Sequence, residues 1–185
     1  MRRVALFTGS SFGEGDRWRT TAEELSRWFA RQGVGIVYGG ASVGLMGVVA
    51  DAALDEGAEV IGVVPRSVFS SEVPHLGLTE LHEVESMHER KALMASYADA
   101  FVALPGGIGT LEEVFEVWTW QQIGLHDKPV AFYDVDGYWS PLLTALDGMV
   151  EAGFVRASAR DALVVADNPG DLWAGLTGPA KPSTP

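Results

Sequence analysis

Five short apolar runs punctuate the chain: Val4–Phe7, Gly35–Tyr38, Val60–Val64, Ala100–Leu104 and Val130–Tyr133. None alternates with polar residues, so each reads as a strand buried on both faces. Between the runs, apolar positions recur at helical spacing. Thr21, Leu25, Trp28 and Phe29 mark one such stretch within Trp18–Arg31, and Leu45–Leu54, Met87–Tyr97, Leu111–Ile123 and Pro141–Val150 supply the others. Strands that alternate with helices predict a parallel sheet covered on both sides, a Rossmann-like doubly wound α/β fold.

Leu163–Ala166 adds a last short strand, and Asp171–Leu176 a closing helical turn. Pro65–Glu85 carries the weakest pattern and reads as a long loop with one strand near Leu78–Val84. No linker composition divides the chain and no segment repeats. At 185 residues the sequence has the length of one domain, expected over residues 1–177. Residues 178–185, Gly-Pro-Ala-Lys-Pro-Ser-Thr-Pro, form a proline-rich tail with little to bury.

Composition narrows the function classes. No apolar run reaches the roughly 18 residues of a membrane helix, and the amino terminus enters its first strand without the apolar region of a secretory signal. The expectation is a cytoplasmic protein with no membrane partner. Cysteine is absent, which removes disulfides, thiolate nucleophiles and cysteine metal sites. A net charge of −12, with only 13 Lys and Arg spread along the chain, disfavours nucleic acid, whose affinity rests on clustered cations. A small anion remains compatible, because backbone N–H groups and one or two local cations can dominate a site.

The chemistry concentrates in Pro105-Gly106-Gly107-Ile108-Gly109-Thr110-Leu111-Glu112-Glu113. The stretch lies between an expected strand and an expected helix. Glycines there let backbone approach a ligand, and the unpaired N–H groups of the next helix's first turn suit an anion, with phosphate the obvious guest. Two further glycine-bearing loops, Gly9–Gly15 and Gly39–Gly47, also follow strands, so all three should converge on one crevice beyond the strands' carboxyl ends. The dinucleotide fingerprint G-x-G-x-x-G is missing from the first strand-helix turn, which argues against an NAD oxidoreductase. Glu112 and Glu113 would add nothing to phosphate binding alone. Either could simply meet a helix macrodipole, or one could serve chemistry.

Ser86-Met87-His88-Glu89-Arg90-Lys91 opens the helix upstream of this loop. On its own, an Arg-Lys pair on a helix reads as a solvated face. Together, Met-His-x-Arg-Lys followed by Pro-Gly-Gly-x-Gly-Thr-x-x-Glu resembles the Lonely Guy family of cytokinin riboside 5′-monophosphate phosphoribohydrolases, long labelled lysine-decarboxylase-like. Similar segments extend the resemblance over roughly Val4 to Asn168: Gly9-Ser10-Ser11, Tyr38–Gly47 and Trp120–Pro129. Ala41 departs from it, standing where a third consecutive glycine is expected.

The resemblance implies hydrolysis of an N-glycosidic bond in a nucleoside 5′-monophosphate, by a homodimer using no cofactor or metal. It implies Arg90 and Glu113 as catalytic residues. A carboxylate near C1′ can stabilise an oxocarbenium-like centre and accept a proton from water. Gly106, Gly107, Gly109 and Thr110 would hold the 5′-phosphate, with Ser10 and Lys91 adding donors and Glu72 and Thr119 as further substrate contacts. Whether Arg90 clamps the ribose-phosphate or orients Glu113 stays open. Glu112 is read as turned outward or engaged with a helix end, and His88 as carrying no proton. A nucleotide or molybdenum-cofactor carrier of related fold is the alternative, although a carrier has no evident use for a carboxylate at C1′. Lysine decarboxylation would ordinarily need a pyridoxal phosphate lysine, and only three lysines are present.

Overall fold

The computed structural model describes residues 1–66 and 73–178. The apolar runs form strands β1 (Arg3–Phe7), β2 (Gly35–Tyr38), β3 (Val60–Pro65), β5 (Ala100–Ala103) and β6 (Val130–Tyr133), joined by β4 (Glu80–Val84) and β7 (Val164–Ala166). Seven helices alternate with them: α1 (Arg17–Arg31), α2 (Gly44–Asp55), α3 (Met87–Tyr97), α4 (Ile108–Gln122), α5 (Ser140–Glu151), α6 (Ala157–Asp161) and α7 (Pro169–Thr177). A 3-10 turn at Val135–Gly137 and the short α6 were not expected from the sequence.

All strands run parallel in one sheet ordered β4-β3-β2-β1-β5-β6-β7. The chain builds outward from β1 to the β4 edge, returns through α3, and lays β5 against the other side of β1. That reversal makes a switch point between β1 and β5, where open α/β sheets hold their ligands.

Side-chain alternation along the strands divides the core in two. Val4, Leu6, Ile36, Tyr38 and Val102 face α1, α2 and α7, against Leu25, Phe29, Val49 and Leu172. Ala5, Phe7, Val37, Val63 and Phe101 face the opposite layer, against Met94, Val114, Val117 and Leu143. Both layers are dry, which explains the lack of alternation in the strand sequences. Ala41, which stands where a third glycine is expected, is fully buried in the first cluster and bridges to Pro74, so its methyl serves packing.

Helix α3 begins at a capping arrangement. Ser86 Oγ accepts the Glu89 N–H (3.2 Å), and the Glu89 carboxylate reaches back to the Glu85 N–H (2.8 Å). The cap fixes where the helix starts and therefore which face it buries. That face comprises Arg90, Lys91, Met94 and Ala95.

Candidate active site

The three glycine loops meet at the switch point. Thr8 Oγ1 donates to Pro105 O (3.0 Å), and Leu45 N–H donates to Gly9 O (3.1 Å). A Cβ on Gly44 would lie 2.2 Å from the Ser10 carbonyl carbon, and one on Gly106 would lie 3.0 Å from Gly9 N. Gly44 also takes φ of +56°, so both its conformation and its neighbours demand glycine.

Helix α4 starts three residues earlier than the apolar pattern indicated. Gly107 is its N-cap, and Ile108, Gly109 and Thr110 form its first turn. Glu112 and Glu113 therefore sit in the second turn, where the macrodipole has largely faded. Gly107 and Gly109 have no positive φ, and a Cβ at either would meet nothing within 4 Å. Nothing inside the chain requires glycine at these two positions. Gly109 even weakens its helix relative to alanine. Thr110 is 2% exposed, and its Oγ1 has no hydrogen-bond partner among the described residues. That hydroxyl lies over Gly106, whose Cβ would come within 2.0 Å of it.

Arg90 and Lys91, adjacent on α3, turn to different partners. Arg90 is 4% exposed. Its Nε donates to Val63 O (3.1 Å) and its Nη2 to Gly39 O (2.9 Å), seating the guanidinium on the ends of β3 and β2. Nη1 lies 4.0 Å from Glu113 Oε1, and the sulfurs of Met87 and Met46 flank the group. Gly39 is glycine because a Cβ there would sit 1.9 Å from Nη2. Glu113, 8% exposed, shares the buried face of α4 with Thr110, three residues before it.

Lys91, also 4% exposed, pairs with Glu112 and with Glu116 (2.8 Å) on α4. Burial pushes its ammonium down, but the two carboxylates outweigh burial and leave its pKa raised. The pair is thus buried, unlike the solvated face that it would suggest on its own. Glu112, read as turned outward or engaged with a helix end, is half-exposed and pairs with Lys91.

The remaining candidates divide. Ser10 is exposed in the loop after β1, beside Gly44. Thr119 lies on the fourth turn of α4, roughly 18 Å along the axis from Gly107. Its Oγ1 donates to Phe115 O (2.7 Å), and it lines a separate cleft with Trp118, Gln122 and Phe154. Within one chain it does not join the loop. Glu72 lies outside the described residues. His88 is exposed, and among the described residues no three His, Cys, Asp or Glu side chains gather to hold a metal. Sequence reasoning missed Tyr138, whose hydroxyl donates to Gly106 O (2.6 Å). No helix of the described chain is long and apolar enough to cross a membrane.

A doubly wound parallel sheet with glycine loops, a helix N-terminus and a buried Arg–Glu pair at its switch point defines a Rossmann-like α/β protein. Residues 46–176 match the family model described as "Possible lysine decarboxylase". The chain is 48% identical over 171 residues to a probable cytokinin riboside 5′-monophosphate phosphoribohydrolase of Oryza sativa subsp. japonica, covering 92% of this chain and 70% of that one. It is 45% identical over 179 residues to a cytokinin riboside 5′-monophosphate phosphoribohydrolase of Rhodococcoides fascians, covering 96% and 90%. It belongs to this family, the Lonely Guy phosphoribohydrolases. Among solved structures, the molybdenum cofactor binding protein of Rippkaea orientalis has the same fold at 17% identity, with a TM-score of 0.69 over 93% of each chain. The molybdenum cofactor carrier protein of Chlamydomonas reinhardtii has it at 19% identity, with a TM-score of 0.68 over 94% of each.

Proposed function

We propose that the protein hydrolyses the N-glycosidic bond of cytokinin riboside 5′-monophosphates, releasing an N6-substituted adenine and ribose 5-phosphate. The observation that carries this reading is the face of α4 shared by Thr110 and Glu113. An anion-binding first turn with an unsatisfied hydroxyl lies one helical turn, about 5 Å, from a buried carboxylate. That separation suits a ribose anchored by its 5′-phosphate and presenting C1′ to Glu113. The relatives' activity supports the same assignment.

In this reading the phosphate rests on the N–H groups of Gly107, Ile108 and Gly109 and on the Thr110 hydroxyl, with Gly106 and Ser10 completing the loop. Glu113 faces the developing oxocarbenium centre and takes a proton from the attacking water as the base departs. Arg90, 4.0 Å away, keeps Glu113 turned toward the sugar. Its own planar fork is fixed by two carbonyls. Lys91 acts through Glu112 and Glu116, holding α3 and α4 together at the site. The working unit is a cytoplasmic homodimer, for which the exposed Ile123, Leu125 and Phe154 supply apolar surface. Thr119 contacts substrate where a second copy carries it to the crevice.

Lysine decarboxylation does not fit these residues. A Schiff-base lysine must shed its proton, whereas Lys91 is held charged between two carboxylates and Lys128 donates to Ala95 O (2.7 Å).

The test is product identity. Incubation with a cytokinin ribotide and, separately, with AMP should give free base and ribose 5-phosphate, the ribotide being preferred. Nucleoside plus inorganic phosphate would overturn the assignment, and tight nucleotide retention without turnover would favour a carrier.

A further inference from the structure

The turn after β6 is built to deliver one side chain. Asp134 accepts from the Trp139 N–H and from Ser140 Oγ (2.8 Å), while Asp136 and Gly137 take φ of +55° and +68°. Asp136 is the one residue other than glycine with positive φ among those described, a conformation costly for a side chain with Cβ. The turn presents Tyr138, whose ring meets Trp18 edge-on at 5.0 Å and Trp139 at 4.7 Å. Tyr138 is 38% exposed; its ring rests against two tryptophans, and its hydroxyl donates to Gly106 O at 2.6 Å.

Gly106 and Gly107 lack side chains, so the peptide joining them is easily rotated. Its bond is trans, which points the Gly106 carbonyl and the Gly107 N–H in opposite directions. Fixing the carbonyl therefore fixes the amide. We propose that Tyr138 is a positioning residue for the phosphate loop: its hydroxyl locks the Gly106–Gly107 peptide so that the Gly107 N–H is presented to the 5′-phosphate. The buried, unpartnered Thr110 hydroxyl over Gly106 independently marks the same spot as a ligand seat. The inference rests on the phosphoribohydrolase reading only for the identity of the ligand.

Tyr138→Phe keeps the ring between Trp18 and Trp139 and removes the hydrogen bond alone. Calorimetric titration with ribose 5-phosphate should show affinity weakened by about fivefold to tenfold, the value of one hydrogen bond. Affinity for adenosine, which has no phosphate, should stay unchanged. With nucleotide substrate, KM should rise by the same factor at unaltered kcat. The Gly107 amide resonance should move on adding ribose 5-phosphate to the wild-type protein and move less in Y138F. Unchanged ribose 5-phosphate affinity, or an equal loss for adenosine, would overturn the proposal. If Y138F does not fold, the wild-type amide decides: a Gly107 resonance indifferent to ribose 5-phosphate refutes it. A wild-type protein that binds ribose 5-phosphate but releases no base would end the hydrolase reading, while the Y138F comparison would still decide what Tyr138 does.

Discussion

Glu113 Oε1 lies 4.0 Å from Nη1 of Arg90, and that guanidinium is already committed on its other edges to the carbonyls of Val63 and Gly39. The cation is therefore anchored by backbone before it meets the carboxylate. Glu113→Gln retains volume and removes both charge and basicity. Turnover should fall by about 10²–10⁴-fold, the usual loss of a positioned base, while nucleotide affinity changes little. Single-turnover kinetics alongside equilibrium binding separates the two, and near-normal turnover would take Glu113 out of the mechanism.

Arg90→Lys preserves charge and loses the fork. A lysine can reach one of the two carbonyls but cannot satisfy both and still face Glu113. Activity should not recover, and stability should drop by about 1–3 kcal/mol as a buried carbonyl is orphaned. Full activity with lysine would reduce the site to attraction between point charges.

Gly109→Ala should separate stability from function in opposite directions. Its Cβ would meet no protein atom within 4 Å, and alanine suits a helix better, so the folded state should gain up to about 1 kcal/mol. Phosphate binding should weaken, since the methyl enters the space reserved for the ligand. Denaturant unfolding and ribose 5-phosphate titration on one preparation give both signs. Gly39→Ala, by contrast, should lose stability and turnover together, because its Cβ would sit 1.9 Å from the Arg90 guanidinium.

His126 provides a pH dependence remote from the crevice. Its Nε2–H donates to Val117 O (2.9 Å), and its Nδ1 accepts the Lys128 N–H (3.1 Å), so the ring is held neutral. Burial lowers its pKa below the ordinary value of 6.5. As pH falls, the unfolded chain takes up this proton first. The contribution to stability is complete above about pH 6.5 and is lost as pH drops through the lowered folded value. His126→Gln should flatten the decline of thermal midpoint in that acid window. An unaltered slope would show that other groups cause it.

The strands and most helices were legible because burial on both faces leaves an unbroken apolar signature, as in Val60–Val64 and Ala100–Leu104. The start of α4 was not, since glycine at positions 107 and 109 breaks the pattern that marks a helix. No contact among the described residues calls for those glycines, so local propensity had nothing to register. The partners of the cations on α3 were hidden for a different reason. Arg90 and Lys91 look solvated until β2, β3 and α4 supply carbonyls and carboxylates from positions 39, 63, 112 and 116. Tyr138 was invisible because its bond to Gly106 spans 32 residues, though the Asp134–Gly137 turn chemistry was a signal of where to look.

The seat of Arg90 is made of main chain, and this decides how the site withstands sequence drift. Carbonyl oxygens are the same whatever residue carries them, so side chains on β2 and β3 can be exchanged for others of similar volume without moving the guanidinium. At Gly39, just past the end of β2, residue identity does reach the cation. A library randomising the two strands under selection for packing should thus return many active members, whereas one confined to positions 39, 90 and 113 should return almost none.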